Sequence, residues 1–588
     1  MWLLRVNMTD RTYKLEDVPE KYRLLGGRGI TSGIVCDEVP PQCAALGPNN
    51  KLVFAPGMVT GTAAPTSARL SVGGKSPLTG TIKEANVGSR WAPQLAAMHI
   101  KALIVEGQST PKGKYWMASL SWDAASKMPK VEFFPADEFM GPNLYESYPK
   151  LYTRFGKEVQ IAGIGVAGTY LYGNSGIAFN DMHGRPSRYA GRGGLGAVMG
   201  SKGLGYIVLN ATGAPGVVVA DKALFDQGRR KLADALRTHA ITKPKGGLNT
   251  YGTAVLVNIV NEAGGLPTRN FTGGRFEGAA KIAGEAIFES NKARLGKELY
   301  NHPCSPGCII QCSNTVHAAD ASEITSCLEY ESAWSLGADC GIDNLDDLAQ
   351  LNQLCNAYGL DTIEAGTTLA VAMEGGLAKF GDGKKAIALV HEMGQGTPTG
   401  RILGAGTEIA AKVLGVTRIP VVKGQSMPAY EPRAIKGIGI TYATTTMGAD
   451  HTAGYTIAPE ILSVGGKADP LSPEGKAALS RAFQATTAFI ADSTGHCLFI
   501  AFAILDIASG FEGTVDEVNA MLGTRYTADD VVKLGAEILR KERAFNEAAG
   551  FTRAHDRVPE FMKYEPLPPH NGVWDVPDSA LDSVYAEM

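Results

Sequence analysis

The chain has 588 residues, a formal net charge of −3, 44% hydrophobic residues and 20% charged residues. This composition is typical of a globular protein and excludes extensive disorder, and the small net charge excludes a general nucleic-acid-binding surface. The length is too great for one hydrophobic core, so we expect roughly two to four domains.

The apolar segments of the sequence are all short. No run reaches the roughly 18 to 20 residues that a membrane-spanning helix needs, and residues 1–5 turn polar too soon for the apolar part of a signal peptide. The nine cysteines are an odd number with one tight group, which suits metal binding in a reducing compartment better than a disulfide framework. We therefore predict a cytoplasmic protein without a membrane span.

The first 210 residues are predicted to be largely β-structure. Short apolar or alternating runs are separated by Gly, Pro, Asn and Thr, which is the pattern of strands and turns. The clearest strands are predicted at 52–55, 68–72, 102–105 and 206–209.

Three glycine loops in this part of the chain carry fixed cations. They contain Arg28 in 25–29, Arg69 in 67–90, and Arg192 in 190–196. Backbone N–H groups that glycine brings close together, beside a guanidinium, are well suited to binding phosphate. A single loop of this kind is more often a hairpin turn with a solvated charge, but three loops in one segment favour a bound anion.

Helices are predicted from a linker at 210–222 to the C-terminus. The predicted class is α+β, with a β-rich domain at 1–212, mainly helical domains at 213–420 and 421–588, and a cofactor at the centre between them. The clearest helices are predicted at 221–236 with an Asp221 cap, 343–358, 362–380, 384–394, 404–414, 472–491 and 527–548.

Cys304, Cys308 and Cys312 lie within nine residues of one another. Thiolates this close in sequence can converge on one metal centre without closing a long loop. A fourth thiol is then needed, and Cys497 is the best candidate. These residues alone leave zinc and an iron–sulfur cluster as open alternatives.

Two predicted helices end in similar sequences, 356–361 and 492–497. Each has a polar residue, two spacers, a glycine, one spacer, and then Asp or Cys. Glycine in this place is typical of the left-handed residue that ends a helix. Two copies that faced each other would also offer acceptors to the donor-rich edges of two equivalent ligands.

The cysteines, the two helix-end motifs and the glycine–arginine loops together resemble the aldehyde:ferredoxin oxidoreductase family, in particular its bacterial aldehyde oxidoreductase branch. The resemblance covers nearly the whole chain, including residues 423–433. It implies a tungsten bis-pterin cofactor (tungstopterin), a 4Fe-4S cluster and a magnesium ion. It also implies aldehyde oxidation to a carboxylic acid, or the reverse reduction, with ferredoxin or an iron–sulfur subunit as electron partner in a homo- or hetero-oligomer.

The resemblance also assigns site residues. The cluster ligands are Cys304, Cys308, Cys312 and Cys497. The residues expected to contact the pterins, their phosphates and magnesium are Arg69, Asn86, Ala190, Gly191, Arg192, Gly193, Asn356, Gly359, Asp361, Asp492 and Gly495.

The implied catalytic pair is Glu331 and His451. An imidazole and a carboxylate near the metal suit a reaction that adds oxygen and removes a proton. Glu329 lies close enough in sequence to contest the role of Glu331. Each of these residues taken alone is equally compatible with a buried, satisfied polar group.

Three departures from the family pattern are visible. Three residues separate Cys304 from Cys308 where two are usual, so the cluster loop is expected to bulge. Asn356 stands where an Asp is usual, and His496 replaces a Leu. The alternative functions are a tungsten-dependent aromatic acyl-CoA ring reductase and a protein that holds zinc or an iron–sulfur cluster only for structure or electron relay.

Overall fold

The computed structural model describes residues 1–141 and 143–588. Two six-stranded sheets form most of the chain up to residue 210, and helices dominate the rest. This architecture confirms the predicted α+β class. Within the described residues, no helix is long and apolar enough to cross a membrane.

The first sheet is built from β1 (Trp2–Asn7), β2 (Thr12–Asp17), β3 (Leu52–Pro56), β4 (Arg69–Lys75), β5 (Ile82–Gly88) and β6 (Ile100–Glu106). Its strand order is β2-β1-β6-β3-β4-β5. β1 and β6 are parallel, and the other neighbours are antiparallel. The central strands β3 and β6 are covered on both faces, which is why they are continuous apolar runs in the sequence.

The second sheet repeats the topology of the first. It is built from β7 (Trp116–Asp123), β8 (Met128–Pro135), β9 (Gln160–Gly163), β10 (Ile177–Phe179), β11 (Arg188–Ala190) and β12 (Leu204–Asn210). Its order, β8-β7-β12-β9-β10-β11, matches that of the first sheet strand for strand, with β7 and β12 as the parallel pair. The N-terminal part therefore consists of two halves with one topology, here called the first half (1–106) and the second half (116–210).

The helices of the two halves also correspond. Gly27–Glu38 and Leu144–Phe155 each follow the second strand of their sheet, and Trp91–Ala97 and Leu195–Ser201 each precede the last strand. The edge strands β5 and β11 lie next to each other and so bring the two sheets together. Shorter helical turns are Glu20–Arg23, Asp137–Phe139 and Val166–Thr169.

The rest of the chain is mainly helical, with two small hairpins, Thr315–His317 with Glu323–Ser326 and Val421–Val422 with Gln425–Ser426. The α-helices are Lys222–Thr238, Gly247–Tyr251, Leu256–Glu262, Ala279–Ile282, Gly284–Leu295, Tyr330–Ser335, Leu345–Tyr358, Thr362–Glu374, Gly383–Gln395, Pro398–Gly404, Thr407–Leu414, Lys436–Thr444, Ile457–Glu460, Lys476–Ile490, Ala501–Asp506, Ala508–Leu522, Ala528–Ala548 and Asp578–Ala586. The 3-10 turns are Thr253–Val255, Ala338–Cys340, Leu498–Ile500, Arg553–His555 and Glu560–Lys563.

Most of the predicted elements are confirmed, including all four named strands and the Asp221 cap, whose carboxylate accepts from the Leu224 N–H. The prediction was wrong at three helix ends. The helix predicted at 472–491 begins only at Lys476. The helix predicted at 362–380 ends at Glu374, where Gly375 and Gly376 follow. The helix predicted at 404–414 begins only at Thr407, because Gly406 has a φ of +110° and breaks it from the preceding helix.

One large apolar core joins the helical elements. It includes Leu369 and Leu403 before residue 420 as well as Ile438 and Phe489 after it. The apolar packing is thus continuous across the predicted boundary at 420, and the division into a second and a third domain stays a prediction. The smaller cores of the two sheets lie within 3–210, apart from Phe545, which packs on the first half.

Candidate active site

A cavity of about 310 Å³ lies where the edges of the two sheets face the helical part. Its wall brings together residues that are far apart in sequence. Ten of the predicted site residues line it, namely Arg69, Asn86, Gly191, Arg192, Glu331, Asn356, Asp361, His451, Asp492 and Cys497. Ala190, Gly193, Gly359, Gly495 and the other three cysteines are not part of this wall.

The glycines of the two helix-end motifs are packed against the two halves of the N-terminal part. A Cβ on Gly57 would lie 2.2 Å from the Cα of Gly495, and a Cβ on Gly165 would lie 2.8 Å from the N of Gly359. Gly57 follows β3 and Gly165 follows β9, which are equivalent strands. Each motif therefore approaches its half at the same place, and only glycine leaves enough room.

Equivalent backbone hydrogen bonds hold the two motifs. The Gly176 N–H donates to the Gly359 carbonyl (2.9 Å), just before β10, and the Arg69 N–H donates to the Gly495 carbonyl (3.0 Å), at the start of β4. The first motif ends its helix as predicted, with Gly359 at φ +80°. The second does not, because its helix ends at Ile490, and residues 491–495 form a separate turn.

Asp361 joins the first motif to the next helix and to the second half. One carboxylate oxygen caps that helix by accepting from the Ile363 N–H (3.0 Å). The other accepts from the Arg192 Nε (3.3 Å). The rest of the Arg192 guanidinium donates to the Ala449 and Ser426 carbonyls. Together with one to the Ser426 hydroxyl, these hydrogen bonds use four of the five guanidinium N–H groups of Arg192 and fix the cavity wall.

Arg28 does not bind an anion from solution, contrary to the prediction for its loop. Its guanidinium is fully buried and donates to both carboxylate oxygens of Glu542 (2.9 and 2.7 Å) and to Asp492 (3.1 Å). The sequence prediction failed because two carboxylates, more than 400 residues away in the chain, neutralise the charge. Arg28 instead supports the second motif from behind.

The four predicted cluster cysteines converge beside the cavity. The Arg69 Nη2 lies 3.0 Å from the Cys497 Sγ, and a Cβ on Gly88, next to Arg69 in the sheet, would lie 3.0 Å from the Cys304 Sγ. Thr66 connects the two parts of the chain that carry the thiols. Its carbonyl accepts from the Cys497 N–H (2.9 Å), and its own N–H donates to the Gly307 carbonyl (2.9 Å).

Two buried guanidiniums, those of Arg69 and Arg188, lie next to these thiols. A hydrogen bond from Cys308, together with both guanidiniums, holds the pKa of the Cys304 thiol well below its ordinary value. Burial raises the pKa of Cys312. Metal clusters bind thiolates. The positive surroundings favour this ionised form at Cys304, whereas the hydrogen bond with Cys304 raises the pKa of Cys308.

Glu331 and His451 face each other across the cavity. The His451 Nε2 lies 3.5 Å from the Glu331 Oε1, and the other carboxylate oxygen accepts from the Ala429 N–H (2.9 Å). The Glu331 Oε1 and the His451 Nδ1 have no hydrogen-bond partner among the described residues. The rings of Tyr430 and Tyr455 pack against the imidazole and fix its position.

Burial moves the pKa values of this pair in opposite directions. It raises the pKa of Glu331 to about 8 and lowers that of His451 to about 4. Near neutral pH the carboxyl group therefore holds its proton and the imidazole is uncharged. Such a pair can donate and accept a proton without carrying net charge in a closed site.

Glu329 is placed differently from Glu331. It accepts from the Thr253 hydroxyl (2.6 Å) and from Arg188 (3.4 Å), so its carboxylate is already occupied. Glu331 keeps one free oxygen directed at His451. The geometry therefore favours Glu331 as the reactive carboxyl group.

The comparisons with known proteins cover almost the whole chain. The family model for the aldehyde ferredoxin oxidoreductase N-terminal domain matches residues 3–211, and the model for domains 2 and 3 matches residues 228–588. The chain belongs to the aldehyde ferredoxin oxidoreductase family. The family predicted from the sequence motifs is thus confirmed.

Similar relatives of this family are archaeal. A tungsten-containing aldehyde ferredoxin oxidoreductase of Pyrococcus horikoshii is 37% identical over 96% of this chain and 92% of its own length, and one of Pyrococcus furiosus is 36% identical over 96% and 91%. The aliphatic sulfonate oxidoreductase WOR-like subunit of Pyrococcus furiosus is 25% identical over 96% and 89%. The predicted placement in a bacterial branch stays a prediction.

A solved structure has the same fold. It is the active-site complex of benzoyl coenzyme A reductase, with a TM-score of 0.79 and 19% identity over 100% of this chain and 93% of that one. At this identity the likeness concerns the fold alone.

The cavity wall fits the polar cofactor that the sequence resemblance implies. Buried polar atoms without a partner are costly, so a group of them around one cavity indicates a polar ligand. Asp361 and Asp492 line the cavity from the two different motifs. The atoms without a partner among the described residues are Arg69 Nε, Glu84 Oε1, Asn86 Nδ2, Arg188 Nε, Glu331 Oε1 and His451 Nδ1.

Sequence reasoning missed several residues of the wall. Glu84 could have been found, because it lies two residues from Asn86 on the same strand and therefore on the same face. Leu498 and Phe499 directly follow Cys497. Arg188 and Cys327 carry no recognisable motif. Among the missed residues are Lys83, Glu84, Arg188, Cys327, Ser332, Thr362, Leu498 and Phe499.

Proposed function

We propose that this protein oxidises aldehydes to carboxylic acids with tungstopterin as its cofactor. Water supplies the added oxygen, and each turnover releases two electrons and two protons. The observation that carries the proposal is the pair of Glu331 and His451, which face each other at 3.5 Å in the cavity that also contains Cys497. The relatives named as tungsten-containing aldehyde ferredoxin oxidoreductases support the substrate class.

The cofactor would be held between the two glycine motifs. Asn356, Gly359 and Asp361 would contact one pterin, and Asp492 and Gly495 the other. Arg69, Asn86 and residues 190–193 would bind the pterin phosphates and a magnesium ion, because they lie on or beside the neighbouring edge strands. When bound, tungstopterin supplies the two-electron oxidation and the transfer of oxygen.

The chain's own residues handle the protons. The Glu331 Oε2 accepts from the Ala429 N–H, so the proton of the neutral carboxyl group lies on Oε1, which is directed at the cavity. Glu331 can donate this proton to the carbonyl oxygen of an aldehyde. His451 is an uncharged base, and its imidazole can accept the proton that water loses.

The electrons would leave one at a time. Cys304, Cys308, Cys312 and Cys497 would hold a 4Fe-4S cluster beside the cavity, and Arg69 would lie between the cluster and one pterin. An outside acceptor, either ferredoxin or an iron–sulfur subunit, would receive the electrons. A cytoplasmic location and an oligomeric state belong to the same proposal.

Metal analysis combined with a dye-linked assay tests the proposal. We expect tungsten and about four irons per chain, and aldehyde-dependent reduction of benzyl viologen. His451→Asn should retain both metals and lose most of the activity, about 100-fold or more, because general acid–base catalysis typically contributes that much. Zinc in place of tungsten, or an unchanged rate in the variant, would contradict the proposal.

The protonation state of Glu331 can be tested separately. Its pKa is raised from 4.5 to about 8, so between these values the folded protein binds a proton that the unfolded chain has lost. Stability must then fall as the pH rises through this range, by up to about 1.4 kcal/mol per pH unit for one proton. Thermal unfolding of the metal-free protein from pH 5 to pH 8 should show a smaller decline in Glu331→Gln. Identical profiles would show that Glu331 is ionised.

No further observation supports the two alternative functions, which are an aromatic acyl-CoA ring reductase and a protein that holds a metal only for structure or electron relay. The first rests on a likeness at 19% identity, which concerns the fold. The second gives no role to the cavity or to the unpartnered atoms of Glu331 and His451.

A further inference from the structure

A surface groove of about 390 Å³ lies beside the loop that carries Cys304 and Cys308. Its walls come from three parts of the chain. They are residues 61–68 of the first half, the helix Lys222–Thr238, and the turn at Pro306 and Gly307. The groove is separate from the cavity of Glu331 and His451, and the two share no lining residue.

The cysteine loop reaches the surface at this groove. Pro306 and Gly307 are exposed, whereas Cys304 and Cys308 on either side are only 5% and 8% exposed. The segment between these two cysteines therefore contains an exposed turn, with Gly307 at φ +73°. A partner seated in the groove would be separated from the thiols by this single turn.

Arginines of one helix give the groove its charge. Arg230 and Arg237 are exposed and lie seven residues apart, so they share one face of the helix, with Asp234 between them. Neither forms an ion pair within the part of the chain that the structure describes. Arg229 also lines the groove but is paired with Asp226 (2.7 Å). The groove thus has a positive balance, carried by two guanidiniums without partners.

We propose that this groove is the docking surface for an acidic one-electron carrier protein. The proposal rests on the proposed function, since it concerns where the electrons leave. Carboxylates of the carrier would pair with Arg230 and Arg237, and this pairing would place its redox centre over Pro306 and Gly307. Electron-transfer encounters bury small areas, typically below about 1,200 Å², so a groove with two free cations is sufficient.

Charge in such a surface acts mainly on the rate of encounter, which falls as salt screens it. The test therefore compares two acceptors on the same loaded enzyme, an acidic bacterial-type ferredoxin and benzyl viologen. In Arg230→Glu/Arg237→Glu we expect kcat/KM for ferredoxin to fall about ten-fold or more at low ionic strength. The rate with benzyl viologen should not change, because the dye needs no docking site.

Two controls make the result decisive. Lys150→Glu/Lys157→Glu makes the same change of charge at two exposed positions on and just after the helix Leu144–Phe155, outside the groove, and should leave both rates unchanged. Arg230→Gln/Arg237→Gln removes the charge with less risk to folding and should give a smaller loss in the same direction. For all three variants, the salt dependence of the ferredoxin rate is recorded beside that of the parent.

The possible failures can be told apart. If the parent enzyme does not reduce benzyl viologen with any aldehyde, the proposed function fails. If the parent does, but the double Glu variant reduces ferredoxin like the parent with the same salt dependence, the docking surface is overturned. A change in oligomeric state without a change in the ferredoxin rate would also overturn it, because the groove would then be an interface between copies of the chain.

Discussion

Gly57 and Gly165 occupy equivalent places in the two halves of the N-terminal part, and each packs against the glycine of one helix-end motif. The backbone contacts are alike, but the side chains around them differ. In the second half, Arg192 and a helix cap hold Asp361. In the first half, Arg28 donates to Asp492 and is itself held by Glu542 of the C-terminal part, and Arg69 contacts Cys497.

The backbone contacts, which the two halves share, and the side chains, which differ between them, therefore have different roles. The shared backbone contacts place the two motifs at equivalent positions beside the cavity, where they would hold two similar ligands. The side chains then make the two positions unequal, because Arg69 of the first half donates to the Cys497 thiol, whereas Arg188 of the second half acts on Cys304 through its charge. The repeat thus explains how two pterins would bind, and the departures from it explain why electrons would leave on one side.

Replacement of one of the predicted cluster cysteines is expected to have the largest effect. Cys308→Ala should remove most of the iron, since a cluster needs all its thiolates. Iron content and visible absorption of the purified protein measure this. Cys36→Ala is the matched control, because Cys36 lies on the helix Gly27–Glu38 away from the cluster, and it should retain the iron. Four irons in Cys308→Ala would refute the ligand assignment.

Removal of Arg28 tests the support of the second motif. In Arg28→Met, Glu542 and Asp492 would remain buried without their cation, which typically costs about 3 to 5 kcal/mol of unfolding free energy. Urea unfolding measures the loss. Arg23→Met, at an exposed position nearby, should change stability by less than about 0.5 kcal/mol. A loss as small as that of the control would show that this network does not support the motif.

The glycine contacts test whether the two halves are equivalent. Gly57→Ala and Gly165→Ala would each place a methyl group against backbone atoms, at 2.2 Å and 2.3 Å. Overpacking of this kind costs about 1 to 3 kcal/mol, and we expect similar losses in both. Gly247→Ala, which meets nothing within 4 Å, should be neutral or slightly stabilising. A loss of unfolding free energy in only one of these two variants would show that the two contacts are not equivalent.

Loss of the N-cap at Asp361 is expected to cause the smallest change in the free energy of unfolding. Asp361→Ala should cost about 1 kcal/mol through the loss of the N-cap. Asp361→Asn keeps an oxygen for the cap and loses only the long bond from Arg192 (3.3 Å), so it should be more stable than Asp361→Ala, and a loss of tungsten out of proportion to its loss of stability reports on the cofactor. Unfolding and metal content, measured on the same samples, separate the two roles. Equal stability of Ala and Asn variants would exclude the capping role.

Local pattern predicted much of this fold. The strands at 52–55 and 206–209 and the cap at Asp221 follow from short-range chemistry, and the structure has them where they were expected. The duplication of the two sheets was not predicted. Its halves share strand order and backbone contacts, but these depend on pairing between distant strands, which a single sequence does not display.

The site was predicted by resemblance more than by chemistry. The close spacing of Cys304, Cys308 and Cys312 is enough to predict a metal site. No local sequence pattern identifies Glu331 and His451 as site residues. Arg28 is an example of a residue whose role a local sequence pattern does not predict. A glycine loop with an arginine suggests an anion, and only the distant carboxylates of Glu542 and Asp492 reveal that its charge is already neutralised.

Thr66 contacts the cysteine loop at Gly307 and also the backbone of Cys497, so it joins segments from the start, the middle and the end of the chain. Synthesis proceeds from the N-terminus, and domains fold as they emerge. The threonine turn and the first three thiols are therefore available long before the fourth. The four thiols can come together only after Cys497 has left the ribosome, so a cluster held by all four would be inserted at a late step of maturation.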